Sequence, residues 1–80
     1  MPSDERSGRR EPYTERGIRR LKCVRCGAQA EFQWQICADG NLWRPICRYC
    51  DRRLNRKVLE WMGFGAAEVT SRMNRYRGDR

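Results

Sequence analysis

The sequence predicts one small α+β domain, in which a two-stranded hairpin precedes two helices. Two Cys-x-x-Cys pairs enclose residues 27–46, and an alternating apolar pattern between the pairs is typical of a strand. After the second pair, apolar residues recur at helical spacing. Because the chain has 80 residues, it is long enough for a single core only.

The N-terminal segment, residues 1–20, is predicted to be a disordered and mildly basic arm. Only Tyr13 and Ile18 are bulky and apolar there, so the segment cannot bury enough surface to offset the entropy of ordering. Its charged start predicts no signal peptide, and no apolar run has membrane-spanning length. We therefore expect a cytoplasmic protein with no membrane partner.

Residues 31–37 predict the first strand of the hairpin. Phe32, Trp34 and Ile36 alternate with polar neighbours, which is the pattern of a half-buried strand. Cys37 falls on the polar face, so we expect it to be a free and partly exposed thiol.

The turn and the second strand follow directly. Residues 38–41 end in Gly40 and Asn41, the residue types that accept a positive φ in a turn. Residues 42–44 then predict the returning strand, and Pro45 is expected to end the pairing because it has no N–H to donate.

The first helix is predicted from a stripe of apolar residues after the second cysteine pair. Asp51 lies in its first turn, where a negative charge is favourable to the helix dipole. The members of the stripe are Leu54, Val58, Trp61 and Met62.

Residues 63–65, Gly-Phe-Gly, interrupt the helical pattern, and a second helix is expected within residues 65–80. Glu68 and Arg72 form a favourable i,i+4 pair on it, and Gly78 is well placed to end it. We expect this helix to pack on the preceding domain, residues 21–64, through its apolar stripe. That stripe consists of Ala66, Val69, Met73 and Tyr76.

The predicted core is too small to stabilise the domain without help. Hydrophobic residues make up 39% of the chain, and chains of this size usually require a metal or disulfides. For the same reason we expect Trp34, Trp43 and Trp61 to fill the core rather than to stack on bases. The five cysteines fit disulfides poorly because their number is odd, and a reducing compartment favours metal binding by Cys-x-x-Cys pairs.

The predicted metal ligands are Cys23, Cys26, Cys47 and Cys50. Two thiolates separated by two residues reach one ion from a tight turn, and two such turns complete the tetrahedron that structural zinc prefers. Gly27 lets the chain turn away after the first pair without a side-chain clash. The site would be closed, since four thiolates leave no position for water, and the zinc would therefore be structural.

The segment after the second pair distinguishes between two zinc-site architectures. A zinc ribbon would continue into a strand, whereas here the second pair opens a helix. A knuckle, a hairpin and ligands on the first helical turn are the treble-clef arrangement. The helix N-terminus is also expected to lower the pKa of Cys50.

Residues 46–55, Ile-Cys-Arg-Tyr-Cys-Asp-Arg-Arg-Leu-Asn, follow the hairpin and the first Cys-x-x-Cys pair. Together these features resemble the treble-clef zinc finger of HNH-superfamily nucleases, and most closely phage recombination endonucleases and the small phage proteins labelled with them. The resemblance covers about residues 21–64. It implies a phage-encoded, DNA-acting protein with the same zinc-finger core.

One residue of the nuclease site is present and another is missing. The family has a metal-binding acidic or amide residue after the second pair, and Asp51 has that position. It also uses a histidine in the hairpin as general base, but this chain contains no histidine. Glu31 and Asp39 are carboxylates of the kind that turns normally leave solvated, so we do not expect either to replace that base.

The charge of the chain points to a polyanionic partner. Lys and Arg number 18 against 10 Asp and Glu, giving a net charge of +8. Many of the cations fall on one face of the predicted first helix, where they would contact phosphates. The candidate nucleic-acid contacts are Arg25, Arg44, Arg48, Arg52, Arg53, Arg56 and Lys57.

Three functional hypotheses follow. The favoured one is a non-enzymatic zinc finger that binds nucleic acid, with DNA preferred over RNA. The second is an HNH-like endonuclease with a degenerate or unconventional site, in which Asp51 would be the catalytic residue. The third is an adaptor that binds a host enzyme through the C-terminal helix.

Overall fold

The computed structural model describes residues 8–76 and confirms a small α+β fold. The chain divides into two compact units between Cys50 and Asp51, and each unit is described by itself. In chain order the elements are α1 (Glu15–Ile18), β1 (Phe32–Gln35), β2 (Trp43–Ile46), α2 (Arg48–Trp61) and α3 (Ala66–Tyr76). Among the described residues, no helix is long and apolar enough to cross a membrane.

The two strands form an antiparallel hairpin in which Phe32 faces Ile46 and Gln35 faces Trp43. Gly40 and Asn41 have φ values of 76° and 62°, so the predicted turn with two left-handed residues is confirmed. A 3₁₀ turn, Cys37–Asp39, precedes them. Cys37 thus lies in the loop rather than on a strand, and it is exposed as expected.

The prediction that Pro45 ends the pairing is wrong, because Pro45 lies inside β2 opposite Gln33. Trp43, two residues earlier on the same side of the strand, exchanges backbone hydrogen bonds with Arg9 instead of with β1. The missing N–H of Pro45 therefore points away from β1 and removes no hydrogen bond from the hairpin. Ile36, predicted to be inside the first strand, lies beyond β1 and is 55% exposed.

Residues 8–20 differ from the disordered arm that composition predicts. Ile18 is buried, and the Gly17 N–H donates to the Thr14 hydroxyl at the start of α1. The side-chain amide of Gln33 both accepts from the Tyr13 N–H and donates to the Tyr13 carbonyl, each at 2.9 Å. The Gln33 side chain of β1 thus satisfies the N–H and carbonyl groups of Tyr13, which would otherwise need water. Amino-acid composition alone does not reveal a contact of this kind. Residues 1–7 of the arm lie outside the described residues.

In the second unit, the apolar stripe predicted for the first helix is only partly correct. Leu54 and Val58 are half-buried, but Trp61 and Met62 are 85% and 61% exposed. The helix ends in two Schellman hydrogen bonds, from the Gly63 N–H to the Glu60 carbonyl and from the Phe64 N–H to the Leu59 carbonyl. Trp61 therefore belongs to the last, solvent-facing turn and not to the core.

The second helix, α3, buries Val69 and Met73 from its predicted stripe, whereas Ala66 and Tyr76 are exposed. The expected pair of Glu68 and Arg72 forms at 2.8 Å. The Arg72 guanidinium also lies 4.2 Å from the centroid of the Phe64 ring. Packing of this helix on residues 21–64 stays a prediction, and the expected terminator Gly78 lies outside the described residues.

Candidate metal centre

The structure brings together the four cysteines that the spacing selects. The Sγ atoms of Cys23, Cys26, Cys47 and Cys50 all lie within 4.8 Å of one another. Three of these residues are buried and Cys26 is exposed. All four thiols are free of disulfide bonds, and the cluster could hold a metal ion.

The first cysteine pair sits on a tight backbone turn. The Gly27 N–H donates to the Cys23 carbonyl at 2.9 Å, and the Cys23 N–H donates to the Ala28 carbonyl at 2.6 Å. Gly27 has a φ of 85°, a conformation that side chains rarely adopt. The Arg25 N–H donates to the Cys23 Sγ atom at 3.4 Å, so this turn supplies a backbone hydrogen bond to one of the candidate ligand atoms.

The second pair is placed by the end of the hairpin and the start of α2. Cys47 follows β2 directly, Cys50 lies in the first helical turn, and the Cys50 N–H donates to the Cys47 sulfur at 3.4 Å. The Val24 N–H donates to the Pro45 carbonyl at 3.0 Å, which ties the first turn to β2. The hairpin thereby fixes the distance between the two pairs.

The sulfur positions fit a tetrahedral ion. Metal–sulfur bonds of about 2.3 Å require sulfur–sulfur distances of about 3.8 Å in a regular tetrahedron. The distance from Cys26 Sγ to Cys47 Sγ is 3.4 Å, and 4.8 Å is the upper limit for all pairs in the cluster. These separations are therefore of the size that a four-sulfur zinc site requires.

The pKa values of the thiols diverge because each thiol has different neighbours. Burial opposes ionisation of Cys23, but hydrogen bonds from backbone N–H groups outweigh it and lower the pKa of Cys23 to about 6. Burial and the surrounding thiols raise the pKa of Cys50 to about 12, which reverses the lowering expected from the helix N-terminus. Four crowded thiols cannot all ionise without a cation, and a divalent ion would supply the missing positive charge.

Three of the predicted nucleic-acid contacts are engaged within the first unit. Arg44 donates two hydrogen bonds to the Asp39 carboxylate, at 2.5 and 2.7 Å. The same contact lowers the pKa of Asp39. Arg48 pairs with Glu31 at 2.9 Å, so neither arginine presents an uncompensated charge.

Arg25, the third of these residues, lies beside the cysteine cluster. Its guanidinium nitrogen Nη1 is 3.9 Å from the Cys50 sulfur. A guanidinium at this position partly neutralises the charge of bound thiolates. In the structure, Arg25 therefore contacts the candidate metal centre and is not part of a separate nucleic-acid-binding surface.

The other four predicted contacts lie on α2 in the second unit. Arg53, Arg56 and Lys57 are exposed, and Arg52 is half-buried. Within residues 8–76, neither Arg56 nor Lys57 has a carboxylate within ion-pairing distance. We call Arg52, Arg53, Arg56 and Lys57 the cationic face of α2.

Asp51, the residue that a nuclease would need, is only 3% exposed. The Tyr76 hydroxyl donates a hydrogen bond to its Oδ2 atom. Its backbone carbonyl accepts from the Asn55 side chain at 2.8 Å, as a helical residue four positions later can provide. The carboxylate is thus engaged inside the second unit rather than displayed to solvent.

Tyr76 and Trp61 have surroundings that the sequence analysis does not predict. Tyr76 was assigned to an apolar stripe, although a tyrosine hydroxyl requires a partner when it lies near a buried acid. Trp61 was assigned to the core, although it follows Lys57 by four residues and so lies next to the cationic face. The spacing of four residues between Lys57 and Trp61 was the sequence signal that places Trp61 next to the cationic face.

A hairpin, helices and four clustered cysteines are the features of a zinc-finger-like small domain, which is the class that the fold and the site define. Comparison of the chain with protein-family models, with curated proteins and with solved structures finds no match.

Proposed function

We propose that this chain is a non-enzymatic zinc-finger protein that binds nucleic acid, with DNA preferred, through the cationic face of α2. The cysteine cluster supports zinc as the metal, since four cysteine thiolates close together are the ligands of structural zinc sites. No ligand position remains for water or substrate in such a site. The ion would hold the fold together and would take no part in chemistry.

The order of elements supports the treble-clef form of this site. The Cys23 turn, the hairpin and the start of α2 follow one another along the chain, and each end supplies two sulfurs. The binding free energy of zinc in such peptides, about 10–16 kcal/mol, becomes folding free energy. The metal would therefore position α2, which carries the candidate binding surface.

The single observation that carries the proposed function is the exposure of Arg56 and Lys57 without acidic partners among the described residues. A helix face of this kind can contact phosphates and release counterions, which gives affinity without sequence readout. The net charge of +8 also favours nucleic-acid binding, because it attracts polyanions over a longer range.

The two alternative functions have less support. A nuclease of the HNH type needs a general base, but the chain has no histidine and the carboxylate of Asp51 is buried. An adaptor that uses the stripe of α3 would need Val69 and Met73 at the surface, and both are at most 2% exposed.

A salt titration tests the proposed function. We expect the zinc-loaded protein to bind a fluorescent DNA with an affinity that falls linearly in a plot of log K against log salt. The double variant Arg56→Gln/Lys57→Gln should lower the magnitude of this slope by about 1.8 for duplex DNA, or about 1.4 for a single strand, because two phosphate contacts are lost.

The matched control is Arg19→Gln/Arg20→Gln, which removes two exposed cations from the first unit. We expect a clearly smaller change from this control, since its charges lie outside the cationic face. Salt-independent affinity, or equal effects of the two double variants, would contradict the proposal. An RNA of the same sequence in a parallel titration tests the preference for DNA.

A further inference from the structure

The last turn of α2 presents a large aromatic side chain to solvent. Trp61 is 85% exposed, the highest value among the exposed large hydrophobic residues, and Met62 beside it is 61% exposed. Exposed apolar surface that is rimmed by polar residues marks interaction sites. Trp61 and Met62 are therefore a candidate interaction surface.

The surroundings of Trp61 on the helix are cationic. Lys57 lies one turn before it, about 6 Å along the axis, and Arg53 lies one turn before Lys57. These residues are exposed on the same side of the helix. An aromatic ring at the end of a row of cations is the combination that single-stranded nucleic acids bind, with phosphates on the cations and a base on the ring.

The backbone that carries Trp61 is fixed at the helix end. The Schellman hydrogen bonds of Gly63 and Phe64 end the helix immediately after Trp61. A Cβ atom placed on Gly63 or Gly65 would meet nothing within 4 Å, so the chain is not crowded at these two glycines. The backbone of this helix end is therefore formed before a ligand binds and need not be ordered on binding.

We infer that Trp61 is a stacking platform for an unpaired base, and that the ligand of α2 is a single-stranded nucleic acid. This inference rests on the proposed function and narrows its ligand class. In a duplex, both faces of each internal base are covered by neighbouring bases, so Trp61 gains no stacking contact within it. A single strand offers free faces and can also place its phosphates along Lys57.

The charge pattern favours this occupant over an apolar protein surface. A protein partner would have to cover Trp61 while leaving Arg56 and Lys57 in water or pairing them with acids. Each nucleotide of a nucleic acid has both a base, which can cover Trp61, and a phosphate, which can pair with Arg56 or Lys57. A second copy of this chain would bring like charges together.

The experiment measures affinity of the zinc-loaded protein for oligothymidine and for a duplex of equal length. We expect Trp61→Leu to weaken binding to the single strand about 10- to 100-fold, and binding to the duplex less than about 2-fold. Trp61→Phe, which keeps an aromatic ring, should recover part of the loss. Met62→Ala, which removes the neighbouring exposed side chain, is the matched control and should have little effect.

The outcomes separate the inference from the function on which it rests. If the parent protein bound neither oligothymidine nor the duplex, the proposed function would be overturned. Salt-dependent binding that is equal for single strand and duplex, and unchanged in Trp61→Leu, would overturn the inference alone. Self-association that disappears in Trp61→Leu, measured by sedimentation, would assign the surface to a second copy and would also overturn it.

Two measurements guard against trivial loss of fold. Bound zinc per chain and the helical circular dichroism of Trp61→Leu should equal those of the parent, because the replaced side chain is exposed. Fluorescence gives a direct signal, since Trp34 and Trp43 are half-buried and Trp61 is the accessible indole. We expect quenching by oligothymidine in the parent and little quenching in Trp61→Phe.

Discussion

Tyr76, the last residue of α3, donates a hydrogen bond from its hydroxyl to the carboxylate of Asp51 in the first turn of α2. The two residues are 25 positions apart, and Asp51 is buried. The contact joins the beginning of one helix to the end of the other inside the second unit. Because a buried carboxylate is costly without donors, this hydrogen bond contributes directly to stability.

The first prediction concerns this contact. We expect Tyr76→Phe to lower the free energy of unfolding by about 1–3 kcal/mol, since it removes a donor from a buried charged acceptor. Urea denaturation of the zinc-loaded protein measures the change. The matched control is Tyr13→Phe, whose hydroxyl has no hydrogen-bond partner in the described part of the chain. Equal effects of both substitutions would show that the Tyr76 hydroxyl contributes nothing specific.

The second prediction concerns the metal. We expect Cys47→Ser to lose zinc to a competing chelator and to lose stability on the order of several kcal/mol, because about 10–16 kcal/mol of binding is shared among four ligands. Cys37→Ser should retain one zinc per chain, since Cys37 is exposed and outside the cluster. Native mass spectrometry counts the ion. A zinc-free parent that keeps its circular dichroism spectrum would rule out a structural role for the metal.

The third prediction uses Glu60, an exposed carboxylate next to the cationic face. Glu60 lies on α2 within one turn of Arg56 and Lys57, and it is exposed. We expect Glu60→Gln to strengthen binding to single-stranded DNA a few-fold at low salt, because it removes a charge that repels phosphates.

The control for that prediction is Glu68→Gln, which changes the net charge equally but lies on α3. Fluorescence anisotropy at two salt concentrations compares the two variants. An equal gain in both would mean that total charge, rather than the cationic face of α2, determines affinity.

The fourth prediction is a pH dependence that follows from Asp39. Hydrogen bonding by Arg44 lowers the pKa of Asp39 below its ordinary value. A carboxyl with a lowered folded-state pKa adds stability above its unfolded pKa of about 3.9 and loses that stability as pH falls through the folded value. We therefore expect Asp39→Asn to lower the melting temperature at pH 7, and the difference from the parent to shrink below about pH 4. Thermal scans with zinc in excess measure it, and a difference that is constant with pH would refute the ionic origin.

The clustering of the four cysteines and the order of elements were predictable because both depend on local patterns. A Cys-x-x-Cys pair fixes two sulfurs within one turn, and Gly40 and Asn41 fix a hairpin through their own backbone preferences. Such signals need no knowledge of distant contacts. The α+β class and the four clustered sulfurs could be read from them directly.

The features that sequence reasoning missed all depend on distant partners. Pro45 is tolerated in β2 because its backbone nitrogen points away from β1. Gln33 orders the N-terminal segment through a hydrogen bond with the backbone of Tyr13, which is 20 residues away in the sequence. The exposure of Trp61 contradicts a helical stripe that appears uniform in the sequence. For Trp61, apolar periodicity was correct about the helix and silent about which of its residues are covered.

The outer edge of β2 has a consequence for how this molecule can meet other chains. Both backbone groups of Trp43 are taken by Arg9, Pro45 has no N–H, and its carbonyl accepts from Val24. No row of vacant donors and acceptors is left there to template an incoming strand. Along this border the hairpin is thus closed to β-augmentation and to edge-to-edge aggregation, and an incoming strand would find no backbone partner at Trp43 or Pro45.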